Sequence, residues 1–262
     1  MKRIHLFEFE DLPWFPNFLR MGMTRCIIVF HRLVGTREAF AALLKRALTH
    51  TGTRQIIDLC SGSGGIMPEI LEQLRSEKEL ADVQLTLTDL YPNPNAAKQF
   101  NNQPEAGITY ETQSVDATKV GDDRQGLRTM VASFHHMKPE LAQKILEDAQ
   151  NSHQPYCMID PGDNKPPTLL GFLGIPFVFL SCLLITPFVR PLTFTQLIFT
   201  YPIPLIPLFY AWDGAISGMR IYSEKDLKIL LGRLPQKDGY TWESGIVKGK
   251  VPMTYILGLP NS

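Results

Sequence analysis

The chain is poor in cysteine and scatters what it has. Cys26, Cys60, Cys157 and Cys182 are its only four, and none stands at Cys-x-x-Cys or Cys/His spacing. That excludes a zinc motif and a disulfide frame, so no metal ligand set is read, and it predicts the reduced thiols of a cytosolic protein. Net charge is lacking too: lysine plus arginine equals aspartate plus glutamate at 26 each. A balanced chain has no electrostatic footprint for nucleic acid. No internal repeat or low-complexity tract is present, and Glu8, Glu10 and Asp11 interrupt the amino-terminal stretch before any apolar run develops, so no cleavable signal peptide is read. At 262 residues the chain can bury one large core, either as one domain with an insertion or as two small domains.

What is present centres on Gln55-Ile56-Ile57-Asp58-Leu59-Cys60-Ser61-Gly62-Ser63-Gly64-Gly65. A short apolar strand runs into an acid, the chain turns through small residues, and 66–76 reads as a helix. Glycines let the backbone approach a ligand, and the helix end favours a polar or anionic group. Further strands are predicted at 83–88, 108–113, 127–134 and 156–160, with helices at 93–100 and 139–149. Before them, 7–20 is expected to be an irregular arm, 21–33 helical and 36–47 a helix capped by Thr36. After them come a helix at 223–231 capped by Ser223 and strands at 241–247 and 253–257. Alternation of this kind predicts an α/β fold, a mostly parallel sheet covered on both faces. Asp58, Asp89 and Asp116 stand at or just after the ends of the first three strands. In an open α/β sheet such ends face the ligand, and an acid after the second strand suits a ribose.

These residues resemble the class I S-adenosylmethionine-dependent methyltransferases over about residues 36–160 and 220–258. Ile57–Gly65 is similar to the family's first motif, which implies that Asp58 lies near the methionine amino group while Cys60, Ser61, Gly62 and Gly64 line the cofactor loop. Cys60 departs from the family's usual first glycine. Thr88-Asp89-Leu90 is similar to the second motif, making Asp89 the ribose ligand beside Leu90, and Ser114-Val115-Asp116-Ala117 to the third, placing Asp116 and Ala117 at the adenine. Ser133-Phe134-His135-His136-Met137 resembles the segment after the fourth strand that lies beside the sulfonium. The resemblance therefore implies a Rossmann-like sheet with one antiparallel carboxyl-terminal strand and S-adenosyl-L-methionine as cofactor. His135 and His136 are the candidate catalytic bases, or else pack and line the pocket. A nicotinamide fingerprint is excluded by the missing third glycine after Gly62 and Gly64. The Asp-Pro-Pro-Tyr type of tetrapeptide of amino-group and base methylases is absent, which argues against DNA and protein-amide methylation.

Between the fifth strand and the last helix, residues 168–212 carry a single charged side chain, Arg190. Such a run is long enough to span a bilayer, which takes about 20 apolar residues. Sheet strands on both sides require it to return to the side it left, and Pro202, Pro204 and Pro207 break a second spanning helix. A membrane-associated hairpin, re-entrant or interfacial, is expected, against the alternative of a greasy lid or dimer interface. The reading is thus an amino-terminal arm (1–35), a methyltransferase domain (36–167 and 213–262) and a membrane-seeking insertion (168–212) on the cytoplasmic side. Trp14, in an arm resembling uncharacterised bacterial methyltransferase-like proteins, and Asp213, Arg220 and Tyr222 are the candidate acceptor-site residues; Asp213 and Arg220 pair, or line that site. The expected activity is methylation of a small, lipophilic acceptor. The alternative is a catalytically inactive, membrane-associated binding protein with the same fold.

Overall fold

Ile56 and Ile57 sit on one short strand and pack into different cores, and that alternation sets the layers of the molecule. The computed structural model describes residues 1, 3–164 and 168–261. Its strands are β1 (Gln55–Asp58), β2 (Gln84–Leu87), β3 (Ile108–Tyr110), β4 (Leu127–Val131), β5 (Tyr156–Pro161), β6 (Tyr240–Val247) and β7 (Met253–Pro260). They form one sheet in the order β3-β2-β1-β4-β5-β7-β6. The first five are parallel, and β7 runs antiparallel to both neighbours. Crossovers place α1 (Asn17–Val34), α2 (Thr36–Thr51), α3 (Met67–Arg75), α4 (Pro94–Asn101) and α5 (Pro139–Asn151) before the insertion. In and after it come α6 (Ile175–Ile185), α7 (Phe194–Thr200), α8 (Leu205–Arg220) and α9 (Glu224–Leu231).

On one face Phe40, Leu44 and Leu48 of α2 and Ile70 and Leu74 of α3 cover Ile56, Leu85, Cys157 and Ile159. On the other, Ile145 and Leu146 of α5 and Leu227 and Leu230 of α9 cover Ile57, Met130, Tyr156, Met158 and Ile256. A third core lies off the sheet. Phe15, Leu19, Met23, Cys26 and Val29 pack with Cys182, Ile185, Val189, Ile206 and Tyr210, so the arm and the insertion fold against one another.

The structure differs from the expected boundaries where local chemistry intervenes. The helix expected from Met21 begins at Asn17, directly after Pro16, a residue that closes an extended segment well. Thr36 does not cap α2: Gly35, at φ 84°, takes the cap position, and Thr36 Oγ1 bonds His31 Nδ1 at 3.0 Å. The fourth strand stops at Val131, because Ala132 turns to φ 50°, and Phe134–His136 forms a separate 3-10 turn. Ser223 caps α9 as expected, with Asp226 completing a capping box.

In the insertion α6 and α8 pack antiparallel. A Cβ added to Gly171 would lie 3.1 Å from Met219, and one at Gly214 would lie 3.4 Å from Val178. Leu170–Phe188 is a continuous helical stretch of 19 residues, long and apolar enough to cross a membrane, and only 11% of it is buried. α7 and α8 bend by 73° at the proline-rich break between them. α8 then runs unbroken past residue 212 to Arg220, so one helix carries both the apolar surface and the polar residues beside the sheet.

Candidate functional site

The glycine loop stands at the carboxyl end of β1, and its own side chains set its shape. Asp58 is buried, accepting from Ser61 Oγ at 2.6 Å and from Thr129 Oγ1 of β4 at 2.7 Å. Burial pushes its carboxyl up to about 7 against those two bonds, and the repulsion of Asp89 adds to the rise. Both oxygens are therefore engaged inside the protein, tying the loop to the strand beneath it. The backbone turns left-handed at Cys60 (φ 58°), Gly62 (55°) and Gly64 (94°). A Cβ at Gly64 would lie 2.8 Å from the Phe100 ring, whereas one at Gly62 would meet nothing within 4 Å. Gly64 is thus demanded by packing, and Gly62 borders open space.

Asp89, following β2, accepts from Gly62 N–H and Tyr91 N–H, both at 2.8 Å. The next loop is stitched to it: Val115 N–H donates to Asp89 O at 2.9 Å, and Ser114 Oγ donates to Leu90 O at 2.7 Å. Asp116 is exposed and accepts from Thr118 N–H and Oγ1, while Ala117 is buried beside Val115, and Leu90 is exposed. The structure therefore brings together the loops that carry Asp58, Asp89 and Asp116. Sequence reasoning missed Tyr110, whose Oη donates to Gly62 O at 2.7 Å and accepts from Asn93 N–H. Its one signal was a bulky aromatic in the last position of a strand beside the loop.

A second polar centre lies after β4 and β5. Phe134 is buried and packs against Tyr222, 5.4 Å between centroids. His135 is buried, with Nδ1 2.9 Å from Asp160 Oδ1 at the end of β5. A carboxylate oxygen only accepts, so Nδ1 carries a proton, and in the neutral imidazole Nε2 is then the lone pair; it has no hydrogen-bond partner among the described residues. His136 Nδ1 lies 3.0 Å from Asp11 Oδ1, and its Nε2 lies 3.7 Å from Glu8 Oε2. Glu8 is 0% exposed and, among the described residues, neither of its oxygens accepts a hydrogen bond of good geometry, although Arg220 Nη1 is 2.9 Å from Oε1 as an ion pair. Burial pushes the Glu8 carboxyl up to about 8, with His136 and Arg220 opposing. Burial and His135 push His136 down, but its bond to Asp11 and the charges of Glu8 and Asp11 outweigh them and leave it raised.

The arm reaches this centre because α8 grips it. Asp213 accepts from Phe9 N–H at 2.7 Å and Glu10 N–H at 3.0 Å, and Arg220 donates to Leu6 O and to Asp11 Oδ2. Asp213 and Arg220 share a helix face without pairing to each other; both hold the arm. Arg3 donates to His135 O at 2.6 Å and lies over the Tyr222 ring at 3.5 Å, while Tyr222 Oη donates to Met137 O at 2.7 Å. Trp14 stands apart, 69% exposed and touching Phe15. Glu8, Asp11, Arg3 and Asp160 were not read from sequence as site residues. The acids Glu8-x-Glu10-Asp11 were visible, but not that the chain folds them onto the histidine pair 125 residues on. A surface cleft of about 540 Å³ opens elsewhere, between the α1–α2 corner and the β6–β7 turn, and none of the residues above lines it. The strand-end loops, where polar groups converge, are the better candidate.

Among solved structures, the chain is similar to the plantazolicin methyltransferase BamL in complex with a triazolic desmethylPZN analog and SAH. Identity is 9% and the TM-score 0.51, over 94% of this chain and 99% of that one. It is also similar to the methyltransferase domain of bacterial CtHen1, at 12% identity and a TM-score of 0.49 over 88% and 99% of the two chains. A SAM-dependent methyltransferase from Aquifex aeolicus follows at 14% and 0.40, over 78% of this chain and 81% of that one. No known protein-family profile and no curated protein matches the chain. Identities this low bear on the fold alone. That fold is the class I methyltransferase fold: a seven-stranded, mostly parallel sheet with one antiparallel strand near its carboxyl-terminal edge.

Proposed function

We propose that this protein binds S-adenosyl-L-methionine and transfers its methyl group to a small, lipophilic acceptor at a membrane surface. The observation that carries the cofactor assignment is the loop geometry after β1 and β2. Asp89 points at the Gly62 amide across a loop with open space at Gly62, so a ribose can compete for the carboxylate and the backbone does not obstruct it. Asp116, exposed after β3, is placed for an adenine amino group. The cofactor, when bound, supplies a methyl group on a positively charged sulfur. The protein's part is to align the acceptor and take its proton. His135 Nε2 is the atom offered for that, with the ring fixed by Asp160.

Support for a membrane-resident acceptor comes from the insertion. Leu173, Phe177, Leu180, Leu184 and Phe188 follow one another at helical spacing and are all exposed, Phe177 by 75% and Leu184 by 74%. A lipid surface on the cytoplasmic side is the partner this face suits.

The test is calorimetric titration with S-adenosylhomocysteine. Wild type is expected to bind, and Asp89→Ala to bind about 10- to 100-fold more weakly, the loss of hydrogen bonds to a charged group. A well-folded wild type that does not bind refutes the reading. One observation favours a second reading, a membrane-associated binding protein without catalysis: the arm lies over the histidine pair and engages His136. Methyl consumption with a lipid extract separates the two.

A further inference from the structure

We propose that Glu8, His135 and His136 form a binding site for a divalent transition-metal ion. One donor atom from each lies within 4.8 Å of the other two, and among them His136 Nε2 and Glu8 Oε2 are 3.7 Å apart. The independent observation is that buried donors stand without a hydrogen bond. His135 Nε2 and Glu8 Oε2 have none among the described residues, and Glu8 Oε1 has only its ion pair with Arg220 Nη1 at 2.9 Å, an arrangement that costs free energy unless something fills the gap.

Each imidazole is also oriented as a ligand would be. Asp160 holds His135 by Nδ1, while Asp11 at 3.0 Å and the Arg220 guanidinium at 3.2 Å both reach Nδ1 of His136, so it is Nε2 of each ring that faces the ion site. A carboxylate behind a ligating histidine fixes its tautomer and raises its basicity. Charge agrees. Glu8, Glu10, Asp11 and Asp160 stand around the histidines, against the guanidiniums of Arg3 and Arg220. With those four carboxyls ionised, as a bound cation requires of Glu8, and the imidazoles neutral, they outnumber the guanidiniums by two. Two nitrogens and one carboxylate suit zinc, iron(II) or cobalt(II), not magnesium, which prefers oxygen alone. Three protein ligands leave open positions, so the ion can bind an oxygen of a second molecule. If the methyltransferase reading holds, that molecule is the acceptor; a bound ion would replace the base role given above to His135 Nε2, because it would acidify the acceptor's hydroxyl enough for the proton to pass to water.

The test uses the full chain, stripped of metal by a chelator and then titrated with cobalt(II) by visible absorption and with zinc(II) by calorimetry. One equivalent per chain is expected, with ligand-field bands from the cobalt form and no competition from equimolar magnesium. Glu8→Gln and His135→Gln each weaken uptake at least tenfold, and Asp160→Asn, which touches only the back of His135, weakens it about 10- to 100-fold. His50→Gln, at an exposed imidazole elsewhere, leaves it unchanged. The proposal is overturned if folded wild type takes up neither metal, or if a folded Glu8→Gln/His135→Gln double variant binds as wild type does. S-adenosylhomocysteine titration of the same sample keeps the two ideas apart, because metal uptake without cofactor binding would sink the methyltransferase reading alone.

Discussion

At Cys60 the backbone holds φ 58°, where a side chain costs about 1–2 kcal/mol and glycine almost nothing. The thiol side is partly buried against the α5 face of the sheet, which explains why a non-glycine is tolerated there. Cys60→Gly is expected to raise stability in urea by up to about 1 kcal/mol, since part of the relief is lost to the freer unfolded chain. Cys60→Val, branched at Cβ, is expected to lower it by about 2 kcal/mol. Three carboxyls set a pH dependence. Asp58 and Asp213 are each pushed up to about 7 and Glu8 to about 8, chiefly by burial. Between about pH 4 and pH 8 the folded chain therefore keeps protons that the unfolded chain has released, and raising the pH across that window lowers stability. Urea denaturation at pH 5.5 and pH 8 is expected to show wild type weaker at the higher pH, with a smaller difference in Asp58→Asn.

α8 does two jobs along its length, one toward the third core and one toward the arm. Arg220, near its end, is 3% exposed, and its guanidinium faces Glu8 and Asp11. Arg220→Ala leaves Glu8 buried beside no guanidinium and is expected to cost about 3–5 kcal/mol. The same variant should make the bonds following residues 3–11 open to protease while the sheet domain survives; an arm that stays protected would refute this role for α8. The parallel sheet was legible from sequence because its signals are local: Ile56-Ile57, Leu85 and Met158-Ile159 alternate sides within their own strands. The glycine loop was legible because Asp58 through Gly64 are neighbours in the chain. The arm's contribution was not. Glu8 meets His136 only through contacts that Asp213 and Arg220 make across more than 200 residues, and no periodicity encodes those. The early end of β4 was hidden for a different reason, since it depends on the conformation of a single residue, Ala132.

For the molecule as a whole, two surfaces of opposite character lie on either side of α8. Replacing Phe177 and Leu184 by Asp removes two exposed apolar side chains worth about 1.5–3 kcal/mol each when buried. It is expected to reduce sedimentation with anionic phospholipid vesicles by about 100-fold or more, with little change in thermal unfolding because neither side chain is packed. Unchanged sedimentation would count against the membrane surface. The sheet order carries a consequence for how the protein is made. β7 follows both β5 and β6 in the chain but lies between them in the sheet, so β5 keeps a bare edge until residues 253–260 have been synthesised. Residues 168–212 leave the ribosome well before that. The apolar helices thus leave the ribosome ahead of the strand that closes the sheet, and the nascent chain carries their uncovered faces until that last strand arrives.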